Sequence, residues 1–258
     1  TEEQHPRDRY LTVFGRKPVL EALSHPDLDY GTFRVERGAR GSLINKMLEL
    51  CRKKDIRTDR VSKREVNRIS RNARQDQGVV LDVVAQRMAG LDGWLLGLEG
   101  TAMVLVLDGV TTPANVGLII RSAVAAGIHG LVIPRKGCPE VGPLVIKASA
   151  GTAFGAPILR CSTVTEAAMQ LKAAGFQLVG LKGGASEPLY DTPFPERSAW
   201  VLGNEAIGIS PAIETLIDRS ISIPMAPGVE SLNVAAAATV VAFEYQRRHR
   251  SKVAPTGA

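Results

Sequence analysis

The chain has 258 residues, 45% of them apolar and 22% charged, which suits one large or two ordinary domains of a soluble globular protein. No apolar run approaches the ~18 residues of a membrane span, and the polar opening Thr1–Arg9 does not read as a signal peptide. Three scattered cysteines (Cys51, Cys138, Cys161) argue for a reducing, cytoplasmic setting rather than a disulfide framework or a zinc site, and the net charge of +6 lies wholly in residues 1–90, which hold 19 of the 32 Lys and Arg but 13 of the 26 Asp and Glu.

Residues 1–10 read as a flexible tail. A helix is expected from about Lys17–Pro18, with Val19, Leu20 and Leu23 on one face, ending before His25–Pro26. Phe33–Glu36 alternates as a short strand. Ser42 is expected to cap a helix over Leu43–Lys54, in which Leu43, Ile44, Met47, Leu48 and Cys51 fall at helical spacing. Thr58–Val61 reads as another short strand, Ser62 as the cap of a helix over Lys63–Arg71, and Gly78–Val84 as a clear strand. Residues 1–88 therefore predict a small α/β domain. Within it, Cys51–Arg74 carries ten basic residues against three acidic ones, with Arg52, Lys53, Lys54, Arg64, Arg68 and Arg71 the candidates for binding. A solvated helix face is the bland reading of a charge run, but a sign bias this strong fits a nucleic-acid phosphate backbone better.

Residues 89–100 form a linker with a short apolar helix around Trp94–Leu96. The second domain, 101–250, opens with Met103–Leu107, an apolar run that reads as a strand buried on both faces of a parallel sheet. Asn115 is expected to cap a helix whose buried stripe is Val116, Ile119, Ile120, Ala123 and Val124. Further strands are predicted at 130–133, 157–160, 177–181, 199–202 and 220–223, separated by helices near 141–150, 163–174, 208–217 and 233–248. Six apolar strands alternating with helices predict an open parallel sheet covered on both sides. The tail 251–258 is polar and expected to be flexible.

Two of these strands run into turns rich in Gly, Asn, Pro and Ser, at Trp200–Ser210 and Ile221–Val234, and each turn leads to a helix. Backbone N–H groups and helix N-termini then converge as they do in a small-molecule pocket. A phosphate loop does not fit, because position 209 is Ile where Lys would hold the outer phosphates, and no Gly-x-Gly-x-x-Gly pattern occurs. A third turn, Leu107–Ala123, completes the set.

Asn115-x-Gly117-x-x-x-Arg121, Gly203-Asn204-Glu205 and Ser231-Leu232-Asn233-Val234 together resemble the three motifs of the SpoU (TrmH-type) RNA ribose methyltransferases. The resemblance covers about residues 100–248, and Gly15–Leu23 with Gln77–Val79 resembles the edges of the ribosomal-protein-like substrate-binding domain carried in front by many members. It implies S-adenosylmethionine as cofactor without a metal, an RNA ribose 2′-hydroxyl as acceptor, a C-terminal trefoil knot and a homodimer. By the same resemblance Gly203, Ile223 and Leu232 are the foremost cofactor-binding residues, with Leu181, Leu202 and Asn204 beside them. Arg121, Asn115, Glu205, Ser231 and Asn233 are the catalytic candidates.

Each candidate has a plainer alternative. Ile223 and Leu232 could be core residues, Asn115, Ser231 and Asn233 helix caps, and Glu205 a first-turn carboxylate favoured by the helix dipole. Arg121 is expected at the border of the buried stripe, paired with Glu205 or Asn115, where it would clamp phosphate and stabilise the developing alkoxide. Ribosomal RNA is the favoured acceptor, with transfer RNA as the rival. A non-catalytic RNA-binding or ribosome-assembly protein on the same fold is the alternative from another class. The last helix is apolar on more than one side, which itself asks for a second covering surface.

Overall fold

The computed structural model describes residues 9–249; of the tails expected at 1–10 and 251–258, residues 1–8 and 251–258 lie outside the described residues. The amino-terminal part is a four-stranded sheet in the order β1 (Tyr10–Phe14), β4 (Val79–Val84), β2 (Tyr30–Glu36), β3 (Arg57–Val61). β4 runs antiparallel to both neighbours, and β2 and β3 are parallel. Helices α1 (Arg16–Ser24) and α2 (Ser42–Lys53) cover one face, where Leu11, Val13, Phe33, Met47 and Leu81 are buried. Helix α3 (Lys63–Ser70) covers the other, with Val66 and Ile69 packed on Val80 and Phe14.

Two local expectations fail here. Tyr10, assigned to the tail, opens β1 and pairs with Val84. Its strand alternates half-buried and buried residues, so Leu11 and Val13 reach the core and the charged flank does not continue into it. Ser42 does not cap α2: the cap position is Gly41, at φ 121°, a conformation favouring glycine, with no side-chain cap bond. Ser62 does cap α3, its side chain accepting from the Glu65 N–H.

The rest of the chain forms an eight-stranded, all-parallel sheet. Its order is β10 (Glu187–Pro188), β12 (Arg219–Ser222), β9 (Gln177–Leu181), β11 (Arg197–Leu202), β6 (Ala102–Leu107), β7 (Gly130–Pro134), β8 (Ile158–Cys161), β5 (Ala89–Gly90). The six predicted strands form its interior, and two-residue strands close the edges. β5 lies in the expected linker, which joins the large sheet through β8 and leads into α4 (Leu91–Leu96).

Every side chain of β6 is buried, and the alternation assigns them to two layers. Met103, Leu105 and Leu107 pack with α5 (Pro113–Ala125), α6 (Pro143–Ala148) and α9 (Val234–His249). Val104 and Val106 pack with α4, α7 (Val164–Ala173) and α8 (Pro211–Glu214). Burial on both faces is why these strands read as uninterrupted apolar runs. α8 is shorter than the expected 208–217, because Ser210 is extended and the helix waits for Pro211. α6 is likewise shorter than 141–150, starting at Pro143 after an extended Gly142. In the Asn115-x-Gly117 motif the glycine serves packing: a Cβ there would lie 2.5 Å from Ala148 Cβ and 2.7 Å from the Val145 carbonyl, so α5 and α6 touch backbone to backbone.

Candidate functional site

The three turns singled out in the sequence meet at the carboxyl ends of β6, β9, β11 and β12. Asn115 is not a helix cap. α5 begins at Pro113 after Thr112, which leaves Asn115 in the first turn with its side chain free to point outward. Its Nδ2 donates to Glu205 Oε1 at 2.5 Å, and its Oδ1 accepts from Asn233 Nδ2 at 3.2 Å. One residue from each motif thus enters a single chain of hydrogen bonds. Asn233 also caps α9, its Oδ1 accepting from the Ala235 N–H at 2.9 Å, so its plainer reading and its place in the network hold together.

The Gly203–Ser210 turn is pinned at both ends. Asn204 and Gly208 exchange backbone hydrogen bonds of 2.9 Å each way. The Asn204 side chain donates to the Gly109 carbonyl at 2.7 Å and accepts from the N–H groups of Ala206 and Ile207. Gly203 is where the turn crosses itself: a Cβ there would sit 2.3 Å from the Gly208 carbonyl carbon and 2.5 Å from the Ile209 nitrogen. Only a residue without a side chain fits. The motif's glycine is explained by this crossing before any ligand is considered. Asp108, buried at the end of β6, accepts from the Ser210 N–H at 2.6 Å and ties the first turn to the second. Sequence reasoning passes over Asp108; its signal is a carboxylate directly following a fully apolar strand, next to a glycine.

Leu202 is buried, Leu181 and Ile223 are half-buried, and Leu232 is 40% exposed, so Leu232 is not a core residue. Ile207 and Val229 are also exposed on the same turns. The loop after β9 touches the last turn, where a Cβ on Gly183 would lie only 3.0 Å from the Glu230 carbonyl oxygen. Ser231 is exposed and makes no side-chain hydrogen bond with these groups. Arg121 departs from expectation. It is exposed, six residues and so about 9 Å along α5 from Asn115, and among the described residues it forms no hydrogen bond or ion pair with Glu205 or Asn115. Glu205 is taken by Asn115 instead.

The thiols offer no nucleophile. Burial pushes Cys138 up to about 11 and Cys161 to about 12, so both stay protonated near neutrality. Among the described residues no three His, Cys, Asp or Glu side chains come together as a metal site, and no helix is long and apolar enough to cross a membrane.

The basic run is divided by the fold. Arg52 and Lys53 are exposed at the end of α2, on one face of the small sheet, with Lys53 paired to Glu49 at 2.7 Å. Lys54 is structural, donating to the His25 carbonyl at 2.6 Å and lying over the Tyr30 ring. Arg64, Arg68 and Arg71 are exposed on the α3 side, where Arg68 and Arg71 line a cleft together with Glu140 and Arg160 of the large-sheet part.

A parallel sheet whose turns gather polar groups and glycines at the strand ends has the arrangement of a small-molecule site, and the small basic sheet in front of it that of a nucleic-acid-binding element. The matches to known proteins narrow this class. Residues 102–243 match the SpoU rRNA Methylase family, and residues 12–89 match RNA 2′-O ribose methyltransferase substrate binding. The chain belongs to the SpoU rRNA methylase family. It is 31% identical over 237 residues to the 23S rRNA (guanosine-2′-O-)-methyltransferase RlmB of Bordetella pertussis, covering 92% of this chain and 96% of that one. The protein of that name from Xanthomonas axonopodis pv. citri is 34% identical over 239 residues, again covering 92% and 96%. Among solved structures, the SpoU methyltransferase AviRb from Streptomyces viridochromogenes, in complex with AdoMet, superposes with a TM-score of 0.68 at 26% identity, covering 95% of this chain and 92% of that one.

Proposed function

We propose that this protein transfers the methyl group of S-adenosylmethionine to a ribose 2′-hydroxyl of RNA, with 23S ribosomal RNA as the acceptor and a guanosine as the methylated nucleotide. The observation that carries the reading is the chain Glu205–Asn115–Asn233, which draws residues from all three motif turns to one point. The acceptor follows the printed names of the RlmB relatives, which this chain matches over nearly their whole length.

The residues present suit the donor. Gly203 removes every side-chain atom from the crossing of its turn, Leu232 offers an exposed apolar wall, and Ile223, packed on the core, stays half-exposed beside the turn. Gly203, Asn204, Ile223 and Leu232 would hold it, with Leu181 and Leu202 at the strand ends beneath. When bound, the sulfonium supplies an electrophilic methyl group and needs no metal. The chain's own task is the acceptor. A ribose hydroxyl is a weak acid, so its proton must be received or its oxygen stabilised as it attacks. Glu205, oriented by Asn115, is a carboxylate at the right turn to accept that hydrogen bond. Arg121 serves as an electrostatic clamp on phosphate and developing alkoxide, since guanidinium holds its proton too tightly to act as a base.

Residues 1–88 are the RNA-gripping domain of this reading, 101–250 the catalytic domain, and the trefoil knot belongs to the latter. A homodimer belongs to it as well. Leu118 on α5 and Phe243 on α9 are 44% and 42% exposed on neighbouring helices joined by the Ser122–Thr239 hydrogen bond of 2.7 Å. Arg121 shares the exposed side of α5 with Leu118, where a second copy would meet it. The enzyme works in the cytoplasm, where its three free thiols stay reduced.

The test is methyl transfer from labelled S-adenosylmethionine to 23S ribosomal RNA and to transfer RNA stripped of modification, in chelator, with the product mapped by resistance to alkaline hydrolysis. Labelling of ribosomal RNA at one ribose is expected. Labelling of transfer RNA alone would move the acceptor assignment, and RNA binding with no transfer to either would make the protein a binding factor.

A further inference from the structure

A cleft of about 360 Å³ lies between the α3 side of the small sheet and the segment Glu140–Gly142 that leads into α6. It is separate from the motif turns, and its volume is that of a small-ligand site. Tyr10, Phe14 and Met88 line it with aromatic and apolar surface; Arg68, Arg71 and Glu140 are exposed at its edge, and Arg160 lies buried beneath Glu140.

The charges are arranged for exchange. Arg160 has a side chain only 3% exposed; it donates to the Ile133 carbonyl at 2.9 Å and to Glu140 at 3.2 Å. Arg71 reaches the other oxygen of the same carboxylate at 3.7 Å, with both partners more than half exposed. So open and long a pair contributes little, whereas Arg binds phosphate through two parallel N–H bonds. A phosphate arriving at Arg71 therefore gives up almost nothing. The cleft's other carboxylate, Asp82, is already neutralised by Arg34 at 2.5 Å and accepts from Thr12, so it does not repel an anion strongly.

One loop connects the cleft with the reaction site. The loop from Arg135 to Gly142 leaves the carboxyl end of β7 and passes Gly109, whose Cα is 3.8 Å from a methyl position on Gly137. It then contacts Leu107 through Cys138, and ends in Glu140 at the cleft. Arg135 and exposed Lys136 lie along this route. A strand leaving the motif turns along the rim would meet the cleft with its phosphates over basic residues.

We propose that the cleft takes up one unpaired RNA nucleotide, distinct from the methylated one, with its base against Tyr10 and Phe14 and its phosphate on Arg68 and Arg71. The proposal rests on RNA being the substrate. Aromatic faces beside guanidinium groups are how proteins hold single-stranded bases, and a slot this small admits a splayed base but not a helix. This gives the enzyme a second reading point on the RNA, set by the spacing between the cleft and the site.

The test uses the full chain and a random five-residue oligoribonucleotide with a central 4-thiouridine, cross-linked by near-ultraviolet light and mapped by mass spectrometry. Cross-links to Tyr10 or Phe14 are expected, competed by nucleoside monophosphates and much less by equal inorganic phosphate. Gly142→Leu is the companion variant. A Cβ at Gly142 meets only Phe14 and the Glu140 carbonyl, at 3.8 and 3.9 Å, so the residue is accommodated and its side chain grows into the cleft. Oligonucleotide affinity should fall about tenfold while affinity for S-adenosylmethionine is unchanged. Cross-links confined to other residues would overturn the proposal, as would phosphate competing as well as mononucleotides, or a Gly142→Leu affinity within twofold of the parent. Should the variant lose donor affinity too, the cross-link map of the parent decides. Cross-links in the cleft without methylation of any RNA would leave this site standing and remove the catalytic reading; methylation without them would do the reverse.

Discussion

Gly203→Ala is the smallest change that should disable donor binding. The added methyl carbon would start 2.3 Å from the Gly208 carbonyl carbon, 2.5 Å from the Ile209 nitrogen and 2.6 Å from the Gly208 oxygen. All three are backbone atoms, which cannot swing aside as a side chain would. The turn must open by about an ångström, and the two 2.9 Å bonds between Asn204 and Gly208 lengthen or break. Overpacking of this kind costs about 1–3 kcal/mol, and each backbone hydrogen bond is worth about 1 kcal/mol net. A total near 3 kcal/mol set against the closed turn corresponds to a loss of about 100-fold in donor affinity. Isothermal calorimetry with S-adenosylmethionine measures it, and a thermal melt reports how much of the cost falls on the whole fold. If the variant binds the donor within threefold of the parent at an unchanged Tm, the closed turn is not the donor-binding conformation and the reasoning is refuted.

Arg121→Ala should lower single-turnover methylation by about 100-fold with donor affinity preserved, and Arg121→Lys should rescue little; a rate within threefold of the parent would make Arg121 structural. Glu205→Gln keeps the bond from Asn115 but removes the carboxylate, so it should fold and bind donor yet lose most of the rate, and full activity would exclude Glu205 as proton acceptor. Light scattering should give a mass near twice 27.6 kDa, with Phe243→Glu shifting the species to monomer; a monomeric parent at micromolar concentration would remove the dimer. Glu244 is buried and held down to about 2, from an ordinary 4.5, first by its hydrogen bond from Arg247 and then by Arg248. A depressed carboxyl stabilises the fold above pH 4.5 and ceases to do so as pH falls towards 2, so Glu244→Gln should lower Tm at pH 7 and flatten its fall over that window.

The interior strands were legible because burial on both faces writes itself as a continuous apolar run, as in Met103–Leu107. α9 was legible as a helix apolar on more than one side. The first strand was hidden because Tyr10–Phe14 follows a charged tail, and five residues of alternation are easily lost beside it. The basic run 52–74 showed its charge but not its division. β3 intervenes between α2 and α3 and passes the chain from one face of the small sheet to the other, so residues adjacent in sequence end on opposite sides. The motif residues were found as a pattern, while the bonds among them could not be. Asn115 had every mark of a cap until the helix began two residues earlier, and Arg121 had every reason to meet Glu205 until Asn115 occupied it.

The chain Glu205–Asn115–Asn233 also sets a clock. Its members are 90 and 118 residues apart. During synthesis at about 5–20 residues per second, Asn233 leaves the peptidyl-transferase centre some 6–24 s after Asn115. The small basic sheet, complete by Val84, is finished long before. On the proposed reading, the RNA-gripping sheet is therefore made before there is any place for a methyl donor, and a nascent copy would meet RNA before it is competent to modify it.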